Sequence, residues 1–177
     1  MKTSSLSAAV LFLCISIVCS RESSAADITL YSGVQNPGKL TVNNVLRDPK
    51  LGGVFGARFS GGQVIGFEQT LGYSPNFLVS GQHAFNAQSN LHVGFPVGKI
   101  VPYATAGIGL VTTFGSPSSD WSDIGTKFTV NYGGGIKFRN LAGPLGFRLD
   151  VRGYSVPSVF NQTLNFVEGS IGVLFSF

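Results

Sequence analysis

The stretch Val167-Glu168-Gly169-Ser170-Ile171-Gly172-Val173-Leu174-Phe175-Ser176-Phe177 decides the fold. Phe177, Phe175, Val173, Ile171 and Val167 fall on one face, with Gly169 as the gap among them. Ser176, Gly172, Ser170 and Glu168 fall on the other, with Leu174 and the preceding Phe166 as apolar exceptions. Alternation with a period of two marks a strand with two unlike faces. The sequence stops on Phe177 without a polar tail. A soluble protein normally avoids such an ending. A bilayer barrel can use it, because closure pairs the strand and lipid covers its greasy face.

The same pattern recurs upstream. Strands are predicted over Ile28–Val34, Val54–Ser60, Val64–Tyr73, Asn90–Val97, Tyr103–Phe114, Lys127–Arg139, Gly146–Tyr154 and about Leu164–Phe177. The segment 146–154 is typical: Phe147, Leu149 and Val151 alternate with Arg148, Asp150 and Arg152. Most of these runs approach the ~9–11 residues with which a tilted strand crosses a membrane. Alternation alone does not say which face looks inward, since a soluble sandwich shows it too.

The first 26 residues read as a secretory leader. Lys2 is followed by an apolar run from Ala8 to Cys19, and Ser24-Ala25-Ala26 offers small residues for cleavage before Asp27. The run is shorter than the roughly 20 residues of a spanning helix, which disfavours an uncleaved anchor. Both cysteines, Cys14 and Cys19, lie in this leader, so the remaining segment 27–177 has neither a disulfide nor a cysteine metal site. Ser16-Ile17-Val18 is a poor lipidation box before Cys19. The segment 27–177 is one domain by length.

Composition excludes several classes. Charged residues make up 11% of the chain, against about a quarter in soluble domains. Without Lys2, Arg21 and Glu22 the net charge falls only from +4 to +3, and no basic run suggests nucleic acid. Outside the leader Phe and Tyr together outnumber the charged residues, yet no stretch is apolar enough for a transmembrane helix.

The connections separate the remaining choices. Gly61-Gly62-Gln63, Gly98–Pro102 and Asn140–Leu145 are short. Val34–Gly53, Ser74–Ser89, Gly115–Thr126 and Ser155–Thr163 are long. Membrane barrels put short turns on one side and longer loops on the other, and an even strand count returns both termini to the short-turn side. A soluble lipocalin-like barrel needs an apolar interior and a charged exterior. Here the charges sit among glycines and the opposite face is too greasy for water.

With these features the chain resembles the small eight-stranded bacterial outer-membrane β-barrel family, of the OmpA-transmembrane-domain and OmpX type. The resemblance rests on the leader, the eight alternating strands, the loop rhythm and the ending Val173-Leu174-Phe175-Ser176-Phe177. It implies an all-β, eight-stranded, antiparallel, up-and-down transmembrane barrel in the cell outer membrane. It also implies that Ile171, Val173, Phe175 and Phe177 form the C-terminal signal read by the barrel-assembly machinery. No sequence remains after the barrel for a peptidoglycan-binding domain, so a two-domain arrangement is not expected.

The polar face carries Arg58, Glu68, His92, Lys137, Arg139, Arg148, Asp150, Arg152 and Glu168. An eight-stranded barrel is just wide enough for side chains to fill it, so these charges are expected to pair as a lumen polar network. Inward glycines such as Gly72, Gly107, Gly133 and Gly135 leave room either for large neighbours such as Tyr103 and Tyr154 or for water. An acylase or deacylase reading would need a nucleophile and a base. His83, in an expected loop, and His92, near Ser80 and Ser89, show no triad spacing. Neither a metal nor a cofactor is expected. Trp121, with Asp120 and Asp123, is read as capping a loop or marking the membrane edge, with an anchor for a ligand or partner as the alternative, and Tyr73, Phe95, Phe114, Tyr132 and Phe138 lie near expected strand ends, as an aromatic girdle requires and as strand propensity alone also gives. The expected role is structural or surface-interactive, with outer-membrane lipid as surroundings and an unidentified loop partner. The alternatives are a small passive channel and a lipid-modifying enzyme.

Overall fold

The computed structural model describes residues 26–42, 45–47, 51–115, 124–159 and 161–177. The expected leader, apart from Ala26, and Asp120, Trp121 and Asp123 lie outside the described residues. Among the described residues ten strands follow in order: β1 (Ala26–Pro37), β2 (Leu40–Val42), β3 (Val45–Arg47), β4 (Gly52–Gly61), β5 (Ile65–Ser74), β6 (Gln82–Gly94), β7 (Ile100–Gly115), β8 (Thr126–Ala142), β9 (Leu145–Val159) and β10 (Gln162–Ser176). Among the described residues β2 and β3 pair only with each other. The other eight form a closed antiparallel barrel in which β1 pairs with β4 on one side and β10 on the other. Closure leaves the barrel with no open sheet edge, the condition for a β structure in lipid.

The start of β1, the end of β10 and three tight turns share one end. Asp27 pairs with Ser176 and Ser60, and the Ser176 N–H donates to Pro144 O at 2.9 Å. The turns at 62–64, 95–99 and 143–144 define this turn end. The other ends of these strands form the opposite, loop end, where 75–81 joins β5 to β6.

The faces are inverted relative to a soluble barrel. Phe67, Leu91, Ile108, Val151, Ile171 and Val173 point outward and are exposed, while Arg58, Glu68, Arg148, Arg152 and Glu168 are fully enclosed. Such an apolar exterior suits hydrocarbon, with the ionic residues turned to the lumen.

Several expectations require correction. β6 begins at Gln82, not Asn90, so the connection after β5 shrinks to 75–81. Its first half was illegible because its outward residues include His83 and Ser89, which mask the apolar period. Phe95 and Val97 lie beyond the strand, in a turn held by the bridge between Val97 and Ile100. The long connection expected over Ser155–Thr163 is mostly strand. Val156 pairs with Leu164 and Val159 with Gln162, so β9 carries one extra residue there. That bulge accommodates Pro157, which has no N–H to donate, and Ser158, which takes φ 60°. Tyr132 is mid-strand, over Gly153 of β9, rather than in a girdle. Tyr73 and Phe114 do lie near the loop end, with ring centroids 6.2 Å apart.

Candidate functional site

The sequence singled out the lumen, and its contents fall into tiers. At the turn end Asp27 of β1 faces two cations of β8. Lys137 Nζ lies 3.1 Å from Asp27 Oδ2 and 3.0 Å from Ser60 Oγ. Arg139 Nη2 lies 2.6 Å from Asp27 Oδ1, which also accepts from Ser176 Oγ at 2.9 Å.

The ion pairs of the central tier join four strands, β4, β5, β9 and β10. Arg58 of β4 donates to Asp150 Oδ2 of β9 and Glu168 Oε1 of β10, both at 2.7 Å. Arg148 Nη2 meets Glu68 Oε2 at 2.6 Å, and its Nε lies 2.9 Å from Asp150 Oδ2. Arg152 Nη2 reaches Glu68 Oε1 at 2.5 Å and Asp150 Oδ1 at 3.3 Å. Three guanidinium groups thus meet three carboxylates. Tyr103 donates its hydroxyl to Asp150, and its ring lies 4.6 Å from Arg148 Cζ. The Tyr31 ring lies 3.8 Å from Arg58 Cζ. Planar, multiply donating guanidinium groups suit such a site, where each charge needs both an ion partner and hydrogen bonds.

A third tier extends toward the loop end. Gln35 of β1 donates to Glu168 Oε2 at 3.0 Å and accepts from Ser74 Oγ at 2.9 Å. Thr129 and Asn131 both bond to the Gln88 amide. Above them the lumen turns apolar: Phe77, Leu78, Val111, Val156, Val159, Leu164 and Phe166 form a buried cluster that also takes in Ala84 and the Tyr154 ring.

The structure therefore brings Arg58, Glu68, Arg148, Asp150, Arg152 and Glu168 into one network and puts Lys137 in a separate tier with Asp27. His92 is enclosed, with its ring centroid 5.2 Å from that of Tyr103, and neither nitrogen has a hydrogen-bond partner among the described residues. The expected loop residue His83 instead lies on β6, and its Nδ1 is 3.0 Å from the Tyr73 hydroxyl. Ile171, Val173 and Phe175 point outward on β10, and Phe177 follows it with its N–H donating to Ala26 O at 2.9 Å.

Sequence reading missed Asp27, Tyr31 and Gln35. The signal was present as the period-two set Asp27, Thr29, Tyr31, Gln35, all buried. The inward glycines make room for particular side chains. A methyl group at Gly72 would meet the Tyr31 hydroxyl and the Asn86 amide, and one at Gly135 would meet the Tyr103 hydroxyl.

No protein-family model matches the chain, and no curated protein matches it. Solved structures do. Neisserial surface protein A (NspA) superimposes with a TM-score of 0.67 at 12% identity, covering 88% of this chain and 98% of that one. The N-terminal β-barrel domain of Pseudomonas aeruginosa OprF gives 0.58 at 14% identity, covering 88% of this chain and 98% of that one. PagL, described as an outer-membrane enzyme, gives 0.52 at 16% identity, covering 84% of this chain and 98% of that one. At these identities the likeness is one of fold: a small eight-stranded outer-membrane β-barrel.

Proposed function

We propose that this chain is exported through a cleaved leader to the bacterial outer membrane, where it acts as a closed barrel that presents its loop end for surface interactions. One observation carries the reading. The guanidinium groups of Arg58, Arg148 and Arg152 and the carboxylates of Glu68, Asp150 and Glu168 are at most 1% exposed and are joined across the lumen. At this strand number interior side chains fill the bore. A lipid-modifying role has less support, because His83 Nδ1 is engaged by Tyr73 and His92 is shut inside the lumen, away from lipid.

The barrel-assembly machinery is the partner in this reading, through Ile171, Val173, Phe175 and Phe177. Phe177 is 73% exposed, so Phe177→Ser removes little internal packing. The variant is expected to refold in detergent like the parent but to reach the outer membrane of expressing cells in smaller amount. Equal amounts in membrane fractions would overturn the assembly role. Planar-bilayer recording tests the closed lumen. The parent barrel is expected to give no discrete conductance steps, and regular steps would favour the passive channel.

A further inference from the structure

Among the described residues, the outward face of the eight barrel strands carries one basic side chain, His83 of β6. The strand lysines and arginines belong to the inward sets; Lys127, for example, pairs with buried Val111. A basic group on a face turned to hydrocarbon is costly unless it lies at headgroup level. His83 lies there. The ten residue steps from outward Val93, at the turn end of β6, to His83 rise about 26 Å at ~3.4 Å per residue and ~40° of tilt. That matches an apolar band about 25 Å tall, and the longer loops of such barrels face out of the cell.

The imidazole is held in one orientation. The Tyr73 hydroxyl lies 3.0 Å from Nδ1, and the Tyr73 ring stacks on the imidazole at 5.8 Å with 13° between the planes. Phe114 of β7 packs against it at 5.7 Å, and Phe55 of β4 continues the row against Tyr73 at 5.2 Å. Gly115 makes room, since a methyl group there would meet His83 Cδ2 at 3.2 Å. The four rings form an aromatic ledge at the depth where amphipathic rings meet lipid headgroups.

Nδ1 is used by Tyr73, whereas Nε2 has no partner among the described residues and is not enclosed. A phenol is a stronger acid than a neutral imidazole N–H, so Tyr73 donates and Nδ1 accepts. The ring proton then sits on Nε2. A protonated ring presents the same Nε2–H. In both states the ledge offers a donor to whatever lies beside the barrel. A phosphate suits it better than a neutral ester carbonyl, because charged acceptors make the stronger bonds.

We propose that His83 and the ledge of Phe55, Tyr73 and Phe114 bind one anionic lipid of the outer leaflet, its headgroup phosphate accepting from Nε2 and its acyl chain lying along the rings. This rests on the outer-membrane reading and assigns a lipid site to its loop-end rim.

The test is native mass spectrometry of barrels refolded into vesicles of mixed phosphatidic acid and phosphatidylcholine. The parent should prefer phosphatidic acid about fivefold more than His83→Phe does, the worth of one hydrogen bond. His83→Phe keeps a ring in place, so equal preference overturns the site and leaves the outer-membrane reading standing. A second readout needs no variant. In nitrogen NMR of the parent, the His83 Nε2 signal should move on adding phosphatidic acid while that of enclosed His92 stays still. A stationary His83 signal overturns the site. An equal shift with inorganic phosphate in detergent makes the ligand a free anion and overturns the lipid assignment. A parent that does not insert into the vesicles overturns the site and the membrane reading together.

Discussion

Arg58 and Glu168 meet at 2.7 Å although they are 110 positions apart and β1 stands between their strands. The contact therefore spans the lumen face of β1 rather than running along a ladder. Arg58 also holds Asp150 at 2.7 Å, so one guanidinium ties β4 to β9 and β10. Removing it leaves two enclosed carboxylates short of a partner.

Arg58→Leu is expected to destabilise the barrel by about 3–5 kcal/mol, the usual cost of breaking a buried pair from one side. The double variant Arg58→Leu/Glu168→Leu should recover part of that loss, because one orphaned charge is gone. Urea unfolding of both in detergent or vesicles checks this. A double variant no more stable than Arg58→Leu contradicts the account.

The outward face makes a second prediction. Ile171 is 59% exposed and pairs with Ser32 near the middle of β1. Ile171→Arg should cost roughly 2–4 kcal/mol in a bilayer, as cations do at mid-depth on a lipid-facing strand. Vesicle unfolding measures the loss. No loss would mean that this face is not in hydrocarbon.

A third concerns interior space. Gly72 lies where the Tyr31 hydroxyl and the Asn86 amide approach. Gly72→Val should cost about 1–3 kcal/mol by overpacking. Adding Tyr31→Phe, which removes the nearest oxygen, should restore part of the stability. Thermal or urea midpoints of the two variants decide the point.

Much of the barrel was legible because period two survives wherever both faces are pure. β9 and β10 show it plainly, as Arg148, Asp150 and Arg152 alternate with Leu149 and Val151. The start of β6 failed because His83 and Ser89 face outward beside Phe85. The end of β9 failed because Pro157 reads as a breaker, whereas a bulge absorbs it. Phe166 and Leu174, exceptions to the pattern, are inward and buried, Phe166 within the cluster at the loop end.

The amino-acid order by itself determined that the strands have one oily and one polar side, and which residues belong to each. Side-chain direction along an extended chain follows from position alone, with no knowledge of neighbours. Only the tertiary structure decided how the inward residues combine. Whether Asp27 meets Lys137, or Phe77 reaches Phe166, depends on how strands are staggered and on where the sheet closes. Those quantities set depth and distance across the bore, which a period of two does not encode.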